Sequence, residues 1–176
     1  MRESIFQGEW MKSWRHHYPK SHVWKIPDMP RSAEARFIPS KPYDCFALLQ
    51  SAFCAMELKL VTGIKSFPFD RITDWQMKNL LEVHENGGVP MIVINYRAQA
   101  IPERVQKKFL IEKSYLNTVL VFHPVTFNEL DTQLEKKSAT FGELVNYCDV
   151  QIFKEGKFWN VPKIFSTHCW DGVLDE

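Results

Sequence analysis

Nowhere does this sequence hold a Cys-x-x-Cys pair, an apolar run as long as a membrane span, an internal repeat or a low-complexity stretch. The missing cysteine pair removes the zinc-knuckle and dithiol redox motifs, because both need two thiolates at short spacing. Cys45, Cys54, Cys148 and Cys169 read instead as reduced thiols of a reducing compartment. A spanning helix needs about 20 apolar residues, so no membrane partner is expected. The opening Met1-Arg2-Glu3-Ser4 leads into polar sequence and not into an apolar signal segment, which gives the expectation of a cytoplasmic setting. A large net charge is also lacking: the formal sum is +1. Evenly spread, such a balance speaks against a polyanionic partner.

The charge is not evenly spread. Lys12, Arg15, Lys20, Lys25, Arg31, Arg36 and Lys41 are opposed between residues 11 and 41 only by Asp28 and Glu34, while the chain ends in Asp175-Glu176. A locally basic segment can neutralise phosphates whatever the whole-chain sum, and a solvated charged surface is the plainer alternative. With 176 residues, 45% hydrophobic and 24% charged, the chain has the length and composition for one domain over 1–176 with a sizeable core.

Ser4 is positioned to cap a first helix of about four turns, ending near His16-His17-Tyr18-Pro19. Five prolines between 19 and 42 make that stretch extended strand and loop. Tyr43–Leu49 and Ala52–Val61 read as strands, and Thr73-Asp-Trp-Gln76 is a capping box that opens a helix closed by Asn86-Gly87-Gly88. Val89–Tyr96 reads as a doubly buried strand and Leu116–Phe122 as another. Thr126-Phe-Asn-Glu129 and Thr140-Phe-Gly-Glu143 predict two more capped helices, and Glu155-Gly156 a late hairpin. The fold class is α/β, a central mixed sheet flanked by helices.

The chemistry is expected on the hairpin formed by the two early strands. If the chain reverses at Gln50-Ser51, paired residue numbers sum to 101, and Asp44 falls opposite Glu57. Opposed side chains share a face and lie roughly 4.5–5.5 Å apart at Cβ. Lys59, two positions on, projects from that face too. Facing carboxylates repel, and a hard divalent cation removes the penalty. A nearby lysine can then orient a water or neutralise charge building on a phosphate. Alternatively Asp44 is a turn residue, with Glu57 and Lys59 solvent-facing on a half-buried strand. Gln-Ser is a poor two-residue turn, since neither residue favours positive φ; a longer loop centred there keeps the register.

The run Lys41-Pro-Tyr-Asp44-Cys-Phe, Met56-Glu57-Leu-Lys59, Ser66-Phe-Pro-Phe69, Trp75-Gln76 and Gly87-Gly88-Val-Pro-Met-Ile-Val-Ile-Asn95-Tyr-Arg97 resembles the PD-(D/E)xK nuclease superfamily. Within it, the chain resembles Holliday junction resolvases of the archaeal type and of the bacterial RecU family, phage versions included. The resemblance covers roughly residues 5 to 97. Tyr43 stands where the superfamily name has proline.

The resemblance implies a restriction-endonuclease-like core over about 5–125 with a C-terminal extension 126–176. It implies a Mg²⁺-dependent endonuclease (Mn²⁺ substituting) that acts as a homodimer on branched double-stranded DNA, in a nucleoid or an infected host's cytoplasm. Asp44, Glu57 and Lys59 would be catalytic, with Asp44 and Glu57 on the metal. Glu9 matches the family's helix-one acid as a third ligand, and is equally a surface carboxylate. Gln76 matches a glutamine that places the nucleophilic water, and equally serves as the N3 partner of Thr73. Candidate DNA contacts are Lys12, Arg15, Lys25, Arg31, Arg36, Lys41 and Lys65, with Arg104, Lys107 and Lys108 as a further hint. Trp10, Trp14, Tyr18 and Trp24, interleaved with cations, suit stacking on unpaired bases, or an apolar helix face. Three alternatives stand beside the resolvase: a less selective phage or repair endonuclease, a non-catalytic DNA-binding protein on this fold, and a thiol or zinc protein using Cys148, His168 and Cys169.

Overall fold

A computed structural model of the chain describes residues 3–27, 41–109, 116–166 and Trp170. Arg31, Arg36, His168 and Cys169 lie outside the described residues. Seven strands form one mixed sheet in the order β1-β2-β3-β5-β6-β8-β9. They are β1 (His22–Lys25), β2 (Cys45–Leu49), β3 (Ala52–Thr62), β5 (Val89–Ala98), β6 (Leu116–Phe122), β8 (Val150–Glu155) and β9 (Phe158–Trp159). A second sheet pairs β4 (Phe67–Pro68) with β7 (Ser138–Ala139). In the large sheet only β3 and β5 run parallel, and α2 (Asp74–Glu85) is their crossover.

Helix α1 (Glu3–His17) covers one face of the sheet. Its residues Phe6, Trp10 and Trp14, spaced by four, are fully buried against Met56, Leu58, Met91 and Val93. Trp10 and Trp14 are therefore core, while Trp24 on β1 is 60% exposed. The other face packs Ala55, Ile92, Ile94 and Tyr96 against α2, α4 (Pro124–Leu134) and α5 (Phe141–Tyr147). All ten residues of β5 are buried, as its unbroken apolar run predicts.

Two local expectations are corrected. The helix predicted from Thr126 starts earlier: His123 is its N-cap and Pro124 its first residue. Proline suits that position because its missing N–H would have had no helical partner anyway. Thr126 Oγ1 instead donates to Asp149 (3.0 Å). The β2–β3 hairpin needs no longer loop either: Leu49 pairs directly with Ala52. Gln50 takes a left-handed φ of 52° to close that two-residue turn. Helix α3 (Glu103–Lys108) and the β4–β7 pairing had no sequence signal.

Candidate active site

The observed hairpin register places Cys45 opposite Met56 and Leu49 opposite Ala52, so paired numbers sum to 101. Asp44 stands just ahead of β2, its backbone held from both sides. Its N–H donates to Met56 O (3.1 Å), and its carbonyl accepts from Ile26 N–H (2.9 Å). The Asp44 carboxylate accepts the Leu58 backbone N–H at Oδ2 (2.9 Å) and meets Lys41 Nζ at Oδ1 (2.7 Å). Asp44 thus reaches across to β3 on either side of Glu57.

Glu57 is fully buried. Its Oε1 receives Lys59 Nζ (2.6 Å) and Gln76 Nε2 (2.7 Å). Its Oε2 is also buried and has no hydrogen-bond partner among the described residues. An orphaned carboxylate oxygen in the interior costs on the order of 1–3 kcal/mol unless something satisfies it. Burial, and then the neighbouring Asp44 charge, push the Glu57 carboxyl up to about 7, against the opposing pull of Lys59 and Lys41. This acid is poorly accommodated as an anion by the protein alone.

Gln76 performs both jobs read from its position. Its Oε1 accepts from Thr73 N–H (3.1 Å) and the Thr73 hydroxyl (3.3 Å), completing the cap of α2, while its Nε2 holds Glu57. Because α2 follows β3 and leads into β5, one β-α-β unit supplies Glu57, Lys59 and Gln76 together.

Glu9 is not brought to this cluster. It lies against the opposite face of the sheet, paired with Arg97 and, at 3.0 Å, with Lys154. Arg97 alternates with Met91, Val93 and Asn95 on the α1 side of β5, whereas Ile92, the partner of Glu57, faces α2. Burial acts to raise the Glu9 carboxyl, but the two cations hold it below its ordinary value. Asn95 Oδ1 accepts from Arg97 Nε, and Asn95 Nδ2 donates to Thr118 O (2.8 Å), so the network around Glu9 is closed.

The candidate DNA contacts separate. Lys12 and Arg15 are exposed on α1, across the sheet from Glu57, and Arg15 Nη2 donates to Val23 O (2.9 Å). Lys25 pairs across strands with Cys45, whose side chain lies in the α1-side core. Lys65 is exposed beyond the end of β3, and its carbonyl accepts from Tyr96 Oη (3.1 Å). Lys41 sits on Asp44. Lys107 pairs with Glu103 on α3 (2.7 Å). Sequence reasoning gave Lys41 to phosphate and carried no signal for the ion pair, because residues 41–44 lie outside any helix.

No group of three or more His, Cys, Asp or Glu side chains among the described residues is arranged to hold a metal. Two carboxylates still fit Mg²⁺, which keeps most of its waters and is bound through one or two acids. The orphaned Glu57 Oε2, beside Asp44, is the observation that fits a cation. Asp44 and Glu57 are themselves buried, and the partly exposed Lys41 and Lys59 form the approach to them. None of the described helices is long and apolar enough to cross a membrane. Comparison with models of known protein families gives no match to this chain, and comparison with curated proteins gives none either.

Proposed function

We propose that this chain is a divalent-metal-dependent endonuclease that hydrolyses DNA phosphodiesters at the Asp44–Glu57–Lys59 cluster. The observation that carries the reading is the cross-strand acid pair with one buried, unsatisfied oxygen and an ammonium 2.6 Å from its twin. Asp44 and Glu57 would hold Mg²⁺ or Mn²⁺. A cation bound there supplies positive charge to a phosphate and makes a water more acidic. The Leu58 N–H holds the Asp44 carboxylate and Gln76 holds that of Glu57, so both acids are fixed in orientation, with Glu57 Oε2 left without a partner among the described residues. Lys59 Nζ stands at the partly open edge of the pair, where it neutralises charge developing on phosphate oxygens or passes a proton.

The sequence resemblance extends this proposal to four-way junctions cut by a homodimer, whose two-fold symmetry would match the two equivalent strands of a junction. Cleavage of a synthetic four-way junction against linear duplex of the same sequence tests it. Preferential, Mg²⁺-dependent cutting of the junction is expected. Equal cutting removes the junction preference and leaves a less selective endonuclease, and no cutting removes the enzyme.

One observation favours a second reading, a DNA-binding protein without catalysis. Lys41 pairs with one oxygen of Asp44 and Lys59 with one oxygen of Glu57, so each acid has a counter-charge from the protein itself. Under that reading divalent ions leave the thermal stability unchanged.

A further inference from the structure

A cleft of about 500 Å³ lies between the β2–β3 hairpin and the C-terminal half of α2, reaching the acid pair only through Tyr43. Its walls include Tyr43, covalently next to Asp44, together with Phe53, Asn79, Glu82, Asn86 and Gly88. Tyr43 and Phe53 are half-buried, with ring centroids 6.3 Å apart, and Phe53 leans on Phe46 (5.6 Å, 30° between planes). The base of the cleft is closely packed: a Cβ at Gly88 would lie 2.6 Å from Val83 Cγ1 and 3.0 Å from Phe53 O.

The polar lining centres on one carboxylate, Glu82, among amides and hydroxyls. Asn79 Nδ2 donates one hydrogen to Trp75 O (2.6 Å) and Asn86 Nδ2 one to Glu82 O (2.7 Å), so each amide keeps its second N–H and its acceptor oxygen, and the Ser51 hydroxyl can act either way. Glu82 is an acceptor only, and its ion pair to the exposed Lys78 is long at 3.7 Å. Among the described residues no lysine or arginine lines the cleft. A carboxylate that only accepts disfavours phosphate, and beside an amide that can donate, with aromatic rings as walls, it suits a flat heterocycle whose edge places an amino donor next to a ring-nitrogen acceptor.

We propose that this cleft is a subsite for an unpaired nucleobase bearing an exocyclic amine, packed against Phe53 and Tyr43, whose ring planes stand 65° apart, with its amino group donating to Glu82 and a ring nitrogen accepting from Asn79, near the phosphate that Asp44 and Glu57 address. The proposal rests on the DNA reading above and adds a preference: cytosine or adenine over thymine, which has no amino group. It also gives a physical reason to favour DNA with unpaired bases over continuous duplex, since a stacked and paired base cannot enter.

The test has a binding arm and a cleavage arm. In EDTA, a fluorescent short oligodeoxycytidylate and an oligothymidylate of equal length are titrated with the full chain and followed by anisotropy. Binding tighter for the cytidylate by about fivefold is expected, with the preference lost in Glu82→Ala and overall affinity reduced in Phe53→Leu. Glu82 is exposed, so its variant will fold even if Phe53→Leu does not. With Mg²⁺, a duplex carrying one unpaired cytidine is then compared with one carrying an unpaired thymidine, and the cytidine substrate is expected to be cut faster. Equal binding of the two oligonucleotides, binding of neither, or a preference that survives Glu82→Ala overturns the cleft assignment. A cytidine preference in EDTA with no cutting in Mg²⁺ or Mn²⁺ supports the cleft and overturns the nuclease instead.

Discussion

The two faces of the central sheet each bury an acid against cations, with opposite results. On the α1 face, Glu9 meets Arg97 and Lys154, Arg97 meets Asn95, and Asn95 meets the backbone of β6. Every member of that network has a partner, and the Glu9 carboxyl is pulled down. On the α2 face, Glu57 is more deeply buried, shares its surroundings with a second acid and keeps one oxygen unsatisfied, and its carboxyl is pushed up. The first arrangement is complete without a ligand. Among the described residues the second leaves a carboxylate oxygen without a partner, the one the proposed cation would meet.

The largest effect that would break this comparison is catalytic. Asp44→Asn should lower single-turnover DNA cleavage by on the order of 10²–10³-fold while the protein stays folded, whereas Glu9→Gln should leave the rate within about threefold. Equal losses would mean that the two faces do not differ in kind.

The next is a difference of sign in pH dependence. Glu57 has a folded-state value of about 7 against an ordinary 4.5, so the folded state binds the extra proton between them. Metal-free stability should therefore fall as pH rises from 4.5 to 7, by on the order of 2 kcal/mol. Glu9 behaves oppositely: its stabilisation is present above 4.5 and is lost as pH falls through its lowered folded value. Thermal melts of Glu57→Gln should lose the decline toward neutral pH, and millimolar Mg²⁺ should raise Tm more at pH 8 than at pH 5. A Tm that rises with pH across the whole range in the metal-free protein would count against the Glu57 assignment.

Smaller is the cost of opening the α1-side network. Glu9→Gln removes the charge that pairs with Arg97 and Lys154 and should cost about 1–2 kcal/mol in denaturant melts, with the Mg²⁺ response unchanged. The smallest separates the two roles of Gln76. Thr73→Ala removes only the helix cap and should cost about 1 kcal/mol with little effect on cleavage. Gln76→Ala loses a similar amount and also frees Glu57, so it alone should slow cleavage.

Much of the α2-face cluster was legible because its parts are local. A hairpin reversing at Gln50-Ser51 fixes Asp44 opposite Glu57 by arithmetic, and strand alternation adds Lys59. The Thr73–Gln76 capping pattern names the helix position that faces β3. Glu9 was misjudged because its partners Arg97 and Lys154 lie 88 and 145 residues away (97 − 9 and 154 − 9), and no short-range pattern records such a pairing. The α4 boundary was missed for a different reason. Thr126 and Glu129 carry a valid capping spacing, but Pro124 fits the first turn and His123 Nδ1 accepts from Val125 N–H (3.2 Å), so an earlier start won. The 500 Å³ cleft was invisible in the sequence because it forms only when the hairpin and the end of α2 come together.

The left-handed Gln50 has a reach well beyond its own turn. Side chains alternate along a strand, so adding or removing one residue at that corner would rotate Asp44 to the tryptophan-lined side of the sheet while Glu57 stayed where it is. The corner works as a phase-setter: a single strained dihedral angle, six residues from Asp44 and seven from Glu57 (50 − 44 and 57 − 50), decides whether the two ever meet.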